Sequence, residues 1–173
     1  MDLVPEAAKG AAGVLSTVTE NIDAEFMDAC GDGLKVVANF AVGYDNVDVD
    51  AANERGVVVT NTPGVLDETT ADVAFMLLLA AARRLGESER VLRAGKWEWW
   101  GPKLFMGPDV WGKKLGIVGM GRIGQAVARR GKGFGMEILY NNRSRDEAAE
   151  NELGASYVEL DELLQTADFV SIH

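Results

Sequence analysis

The chain has very few of the residues that build disulfides and metal sites. It contains one cysteine, Cys30, and one histidine, His173, among 173 residues. A single cysteine cannot form an internal disulfide, and one cysteine with one histidine is too small a set for a zinc site. We therefore predict no metal centre, and a reducing cytoplasm is the expected compartment.

Positive charge and long apolar runs are also scarce. Seventeen Lys and Arg residues face 27 Asp and Glu residues, for a formal net charge of -10. This excess repels phosphate backbones and anionic lipid surfaces. The longest apolar run, residues 73–82, is far shorter than the ~20 residues of a membrane span, and residues 1–5 lack the basic start of a signal peptide. We expect no nucleic-acid partner and no membrane partner.

The pattern of apolar residues predicts an α/β fold with parallel sheets, because short β-branched runs alternate with helical segments. In residues 1–98 the predicted strands are 13–17, 34–40 and 57–61, and the predicted helices are 24–29, 49–54 and a long inter-domain helix over 68–94. Asp67 or Thr69 is the expected N-cap of the long helix, and Gly95 its stop. In residues 99–173 the predicted strands are 115–118, 137–141, 156–158 and 169–172, and the predicted helices are 123–132, 145–153 and 161–166.

A glycine-rich turn follows the apolar strand that ends at Val118. It reads Gly119, Met120, Gly121, Arg122, Ile123, Gly124 and leads into a helical segment. In this pattern the first glycine permits a tight turn, the second lets the backbone approach a pyrophosphate, and the third lets the helix pack on the sheet. The helix N-terminus favours an anion, and Arg122 can add a full positive charge. The turn alone is a weak signal, but strand, turn, helix and second strand stand at the right distances and predict a dinucleotide site.

The end of the second strand bears on which nicotinamide cofactor is preferred. NAD-type folds carry an Asp or Glu about 20 residues on, whereas this chain has Asn142, Arg143, Ser144 and Arg145. A neutral Asn142 does not repel a 2′-phosphate, and the next three side chains can donate hydrogen bonds to it. This predicts a preference for NADP(H), with NAD(H) still possible. Alternatively, both arginines only begin a solvated helix and pair with Asp146 or Glu147.

Three of the four tryptophans lie between the two halves, in residues 96–108. Such a density of aromatic residues is typical of a subunit contact. The alternative is that these rings cover the long helix within one chain.

Four segments in the right order give the chain a family resemblance. Residues 39–48, 60–65, 69–72 with the Leu/Ala-rich helix that follows, and 116–125 together resemble the D-isomer-specific 2-hydroxyacid dehydrogenases, and within them the glyoxylate and hydroxypyruvate reductase branch. The resemblance implies a flavodoxin-like substrate domain over residues 1–98 and a Rossmann cofactor domain from residue 99, each of them partial. It also implies a homodimer and hydride transfer between NAD(P)H and a small 2-keto acid.

The resemblance also assigns site residues. Val42 and Gly43 fall in the segment whose backbone N–H groups hold the substrate carboxylate, which suits an anion and a close main-chain approach. Without the resemblance, Gly43 could be an ordinary turn glycine. Thr70 resembles a position near the nicotinamide, although it could equally be a capping donor.

The family's catalytic Arg, Glu and His come after the position of residue 173, so we expect no catalytic residue in this chain. A general acid near neutral pH is most naturally a histidine, yet His173 does not match the proton donor by position. The chain therefore resembles a fragment, a gene remnant or a deliberately shortened protein. The alternative function is a noncatalytic module that binds nucleotide or dimerises.

Overall fold

The computed structural model describes residues 7–173, and the chain divides into two compact units, Met1–Val65 and Leu66–His173. The first unit contains strands β1 (Gly13–Ser16), β2 (Val36–Asn39) and β3 (Val58–Thr60) and helices α1 (Ala24–Cys30) and α2 (Val49–Glu54). The second contains β4 (Lys114–Val118), β5 (Glu137–Asn141), β6 (Ser156–Tyr157), β7 (Phe169–Ile172), α3 (Asp67–Ala82), α4 (Leu85–Arg93), α5 (Arg122–Gly133), α6 (Glu147–Leu153) and α7 (Leu160–Thr166).

The first unit is a three-stranded parallel sheet in the order β1-β2-β3. Val37 of the central strand packs against residues of the two helices, among them Phe26 and Ala52, in a buried cluster. Both helices begin at an aspartate: Asp23 accepts the N–H of Phe26, and Asp48 that of Ala51. Such caps satisfy N–H groups that have no partner inside the helix.

The second unit is a four-stranded parallel sheet in the order β6-β5-β4-β7. Its core includes Leu115 and Ile117 from β4, Val127 from α5, and Ile138 and Tyr140 from β5, all at most 1% exposed. Strands β5 and β7 have the predicted bounds, because their apolar runs are short and end in polar residues. The prediction of parallel strands alternating with helices is confirmed in both units.

The single long helix predicted over 68–94 is wrong. The chain forms α3 and α4 instead, separated at Arg84, whose backbone is left-handed with φ 53° and ψ 35°. The Arg84 guanidinium donates to the carboxylate of Glu87 at 2.7 and 2.8 Å and to the carbonyl of Met106 at 3.3 Å. These hydrogen bonds hold a conformation that helix propensity alone does not favour.

The predicted cap of this helix is also wrong. Leu66 occupies the N-cap position of α3 and makes no side-chain cap, while Asp67 already belongs to the helix. The Thr69 hydroxyl donates to the Leu66 carbonyl at 3.0 Å. The Asp67 carboxylate is engaged elsewhere, by an arginine of α5.

The compact units divide after Val65, whereas the sequence predicts a domain boundary near residue 98. The reason is that α3 packs against α5, and acidic side chains of α3 pair with basic side chains of α5. Arg130 of α5 donates to Glu68 at 2.9 Å and also to the carboxylate of Asp72. The division of roles between a substrate part and a cofactor part stays a prediction.

The rings of the tryptophan-rich segment are largely exposed. Trp97, Trp99 and Trp100 keep 51%, 66% and 74% of their surface accessible. This exposure disfavours the alternative in which the rings cover the preceding helix. Within residues 7–173, no helix has the length and apolar character that crossing a membrane requires.

Candidate functional site

The glycine-rich turn joins β4 to α5 at the carboxyl end of the sheet. Gly119 has φ 99°, a left-handed conformation that favours glycine, and its N–H donates to the carbonyl of Asn141 at 3.0 Å. Gly121 is the N-cap of α5 and supplies no side-chain cap. The first N–H groups of α5 therefore have neither a helical nor a capping partner, which is the arrangement that binds phosphate.

The three glycines of the turn differ in the space around them. A Cβ on Gly119 would collide with the carbonyl oxygen of His173, and one on Gly124 would collide with the carbonyl oxygen of Gly119. A Cβ on Gly121 would meet no protein atom within 4 Å. Gly119 and Gly124 are thus required by the fold itself, while the open space at Gly121 lies where a ligand can approach the backbone. These residues fit a dinucleotide.

A cleft of about 460 Å³ opens beside this turn. Its lining includes Val118 at the end of β4, Gly119 of the turn, His173, and the three residues Asn142, Arg143 and Ser144 that follow β5. Asn142 also fixes the turn directly, because its side-chain oxygen accepts the N–H of Met120 at 2.7 Å. The structure therefore brings the two predicted cofactor segments together at one cleft.

The two neighbouring arginines of this segment differ. Arg143 lines the cleft, and no hydrogen bond or ion pair engages its side chain among residues 7–173. Arg145 does not line the cleft, and it donates to the Glu150 carboxylate through Nε and Nη2, both at 2.7 Å. Neither of the predicted partners, Asp146 or Glu147, pairs with it. The hydrogen bonds from Arg145, followed by one from Tyr140, lower the pKa of the Glu150 carboxyl.

Arg122 also has a partner that the sequence did not indicate. Its Nε donates to the carboxylate of Asp67 at 2.6 Å, and the Asp67 side chain is only 14% exposed. The positive charge predicted to face the phosphates is therefore balanced by α3 in this structure. No local signal pointed to Asp67, because it lies 55 residues earlier in the chain.

Thr70 lies at a second cavity, of about 590 Å³. Its other lining residues come from α3 and from β7 through His173, which borders both cavities. The Thr70 N–H donates to Leu66 at 2.9 Å, as in an ordinary first helical turn. The His173 ring nitrogen Nε2 lies 2.8 Å from the Ser171 hydroxyl, and burial lowers the pKa of the His173 imidazole.

The predicted carboxylate-binding loop lies in the first unit, after β2. The carbonyl oxygens of this loop are all engaged: Ala41 accepts from Thr62, Val42 from the Asn61 amide at 2.8 Å, and Gly43 from the Asn39 amide at 2.9 Å. In contrast, no hydrogen bond within residues 7–173 uses the N–H of Val42 or Gly43. A loop held by its carbonyls presents its N–H groups outward, and such groups suit an anion.

Asn39 is the residue at this loop that the sequence argument missed. It is 1% exposed, and its side-chain oxygen accepts a hydrogen bond from the Ser16 hydroxyl at 3.0 Å. Its amide nitrogen reaches Gly43. A buried amide with every atom paired holds the loop in one conformation. The sequence signal for this role is a polar asparagine at the end of an otherwise apolar, valine-rich strand.

The second half of the chain matches a known family of dehydrogenases. The family model described as D-isomer specific 2-hydroxyacid dehydrogenase, NAD binding domain, matches residues 75–173. The chain belongs to this family. The match includes the segment 116–125, and the relatives below, which cover nearly the whole chain, confirm the resemblance and the α/β fold. A nicotinamide dinucleotide is thus the cofactor class of this 2-hydroxyacid dehydrogenase domain.

Individual relatives agree with the family. A glyoxylate reductase from Korarchaeum cryptofilum is 56% identical over 172 residues, covering 99% of this chain and 52% of the relative. One from Thermococcus onnurineus is 51% identical, covering 98% and 52%. A Thermus thermophilus protein of known structure has a TM-score of 0.91 at 49% identity, covering 98% of this chain and 53% of that chain. The Aquifex aeolicus D-lactate dehydrogenase complexed with NAD and lactic acid has a TM-score of 0.85 at 28% identity, covering 98% and 50%. The chain spans about half the length of the curated relatives it matches.

Proposed function

We propose that this protein is an NADP(H)-preferring reductase of small 2-keto acids, of which glyoxylate and hydroxypyruvate are the leading candidates. The observation that carries the proposal is the cleft formed by the glycine turn and residues 142–144, whose described lining contains an arginine without a side-chain partner and no Asp or Glu side chain. Relatives named glyoxylate reductase support the substrate class.

The cofactor preference depends on the end of β5. Asn142 keeps the hydrogen bond to the glycine turn without placing a negative charge in the cleft. Arg143 and Ser144 line the same cleft and can donate charge-assisted and neutral hydrogen bonds to a 2′-phosphate. The proposed dinucleotide-binding residues are Thr70, Gly119, Met120, Gly121, Arg122, Ile123, Gly124 and residues 142–144, while the Arg145 predicted with them is bound to Glu150. Among these, Arg122 would have to share its charge between the pyrophosphate and Asp67.

The substrate carboxylate is proposed to bind the N–H groups of Val42 and Gly43. Their neighbouring carbonyls are already satisfied, so the loop can accept an anion without rearranging. When bound, NADPH supplies the hydride that reduces the keto carbon to a 2-hydroxy acid. The keto oxygen then needs one proton, and we propose that a histidine other than His173 donates it, as the family resemblance implies.

Two further parts of the proposal concern assembly and location. Exposed tryptophans at residues 97–100 support a homodimer contact, because large exposed apolar surfaces are typical of interfaces. A cytoplasmic location stays a prediction from the composition.

Two measurements on the 173-residue chain test the proposal. Dissociation constants of NADPH and NADH should differ in favour of NADPH, and equal values or tighter NADH would contradict the cofactor preference. NADPH oxidation after addition of glyoxylate or hydroxypyruvate then tests the reductase activity. Turnover would support the proposed reductase, and NADPH binding without turnover would favour the alternative, a noncatalytic module that binds nucleotide.

A further inference from the structure

The carboxylate of Glu150 accepts three hydrogen bonds close to residues 142–145, the segment predicted to select the cofactor. From α6, its carboxylate accepts from Arg145 through Nε and Nη2, both at 2.7 Å, and from the Tyr140 hydroxyl at 2.8 Å. The Glu150 side chain is only 15% exposed, whereas the Arg145 side chain is 62% exposed. The carboxylate is therefore fixed from two sides.

Tyr140 connects this carboxylate to the backbone of the segment. The ring is fully buried in the last part of β5, and its hydroxyl accepts the N–H of Asp146 at 2.8 Å. Asp146 in turn caps α6 by accepting the N–H of Ala149. Residues 141–146 are thus held at both ends, where β5 ends and where α6 begins.

Within this fixed segment the side chains face different surroundings. Arg143 and Ser144 line the cleft, while Arg145 does not and is bound to Glu150. Moving Arg145 into the cleft would strip a mostly buried carboxylate of two charge-assisted hydrogen bonds, which are among the stronger polar interactions in proteins. Arg145 is therefore poorly placed to be a ligand of the cofactor.

We propose that Glu150 and Tyr140 are positioning residues for cofactor selectivity, which hold residues 141–146 so that Arg143 and Ser144 meet the 2′-phosphate while Arg145 serves as a support. This inference rests on the proposed preference for NADP(H). Arg143 and Ser144 then contact the 2′-phosphate, while Arg145 fixes the conformation of residues 141–146.

Adenosine 2′,5′-bisphosphate and adenosine 5′-monophosphate are suitable probes, because they differ only in the 2′-phosphate and need only the adenosine half of the site. The variants are Glu150→Gln, Arg145→Met and Tyr140→Phe, with Glu147→Gln as the control. Glu147 lies in the first turn of α6, and no hydrogen bond among residues 7–173 involves its side chain. Its substitution removes one nearby negative charge, as Glu150→Gln does, but none of the hydrogen bonds among Glu150, Arg145 and Tyr140.

Glu150→Gln and Arg145→Met change the charge in opposite directions, yet both should weaken bisphosphate binding. The expected loss is about two- to tenfold, the cost of re-ordering one or two side chains on binding. Tyr140→Phe should act in the same direction. Affinity for the monophosphate should stay within about twofold, since a general structural defect would lower both affinities. The Glu147→Gln control should not weaken bisphosphate binding.

Tighter bisphosphate binding by Glu150→Gln would overturn the inference, because it would mean that Glu150 restrains a phosphate ligand. An unchanged affinity would also overturn it. If the wild-type chain binds both probes equally, the NADP(H) preference and this inference fail together. A wild-type preference that survives in all three variants refutes this inference alone.

Discussion

The substitution Gly121→Ala should weaken dinucleotide binding while changing the stability of the fold only slightly. A Cβ at this position meets no protein atom within 4 Å, and the backbone φ of -74° suits alanine. The cost to the fold is that alanine is a poorer N-cap than glycine, by roughly 0.5 to 1 kcal/mol. In a unit of about 100 residues this lowers the melting temperature by no more than about 8 °C.

The effect of Gly121→Ala on binding should be much larger. The added methyl group occupies the space through which a pyrophosphate would reach the first N–H groups of α5. Loss of one charge-assisted hydrogen bond costs about 1.5 to 3 kcal/mol, or roughly ten- to a hundredfold in the NADPH dissociation constant. Fluorescence titration of NADPH measures this loss, and circular dichroism melting measures the stability.

Two other glycines of the same turn and helix serve as controls. Gly124→Ala forces a Cβ against the backbone oxygen of Gly119, so it should lower the melting temperature by more than about 10 °C. Gly133→Ala adds a methyl group at the far end of α5, where no atom outside the neighbouring helix backbone lies within 4 Å. It should leave NADPH affinity unchanged. Wild-type affinity in Gly121→Ala would refute the reasoning, as would a melting temperature as low as that of Gly124→Ala.

Three further predictions concern charge. Asn142→Asp keeps an acceptor for the glycine turn but places a negative charge beside the 2′-phosphate. In parallel titrations the affinity for NADPH should fall about tenfold or more while the affinity for NADH changes little, and an equal loss for both would contradict this. Arg130→Met removes the ion pairs of Arg130 with Glu68 and Asp72 and should lower the free energy of unfolding in urea by about 1 kcal/mol, since both acidic partners are exposed. An unchanged midpoint would argue against a contribution. Hydrogen bonds from Thr19 and Thr17 lower the pKa of Glu20 from 4.5 to about 2, so their stabilisation is complete above pH 4.5 and is lost as the pH falls toward 2. Glu20→Gln should flatten the pH dependence of the urea midpoint in that window, and an unaltered slope would count against it.

The sequence was sufficient to locate most elements of the fold. Helix α2 and strands β5 and β7 have the predicted bounds. Apart from the long helix, the ends of the other predicted strands and helices differ from the observed ones by a few residues at most. These elements follow from short apolar runs, from their polar ends and from capping aspartates, all of which are local. The break between α3 and α4 was not predictable in this way. Arg84 at the break donates to Glu87, and also to the carbonyl of Met106, 22 residues further on, a contact that no local pattern indicates.

The same distinction applies to the candidate site. By itself, the sequence determined the glycine turn and the polar segment after β5, because backbone requirements of glycine and the spacing of strand, turn and helix are written locally. Only the tertiary structure decided which charges remain available. Arg122 is paired with Asp67 and Arg145 with Glu150, while Arg143 lines the cleft. Three arginines that look equivalent in the sequence differ because ion pairing depends on which carboxylates the packing of α3, α5 and α6 brings within a few ångströms.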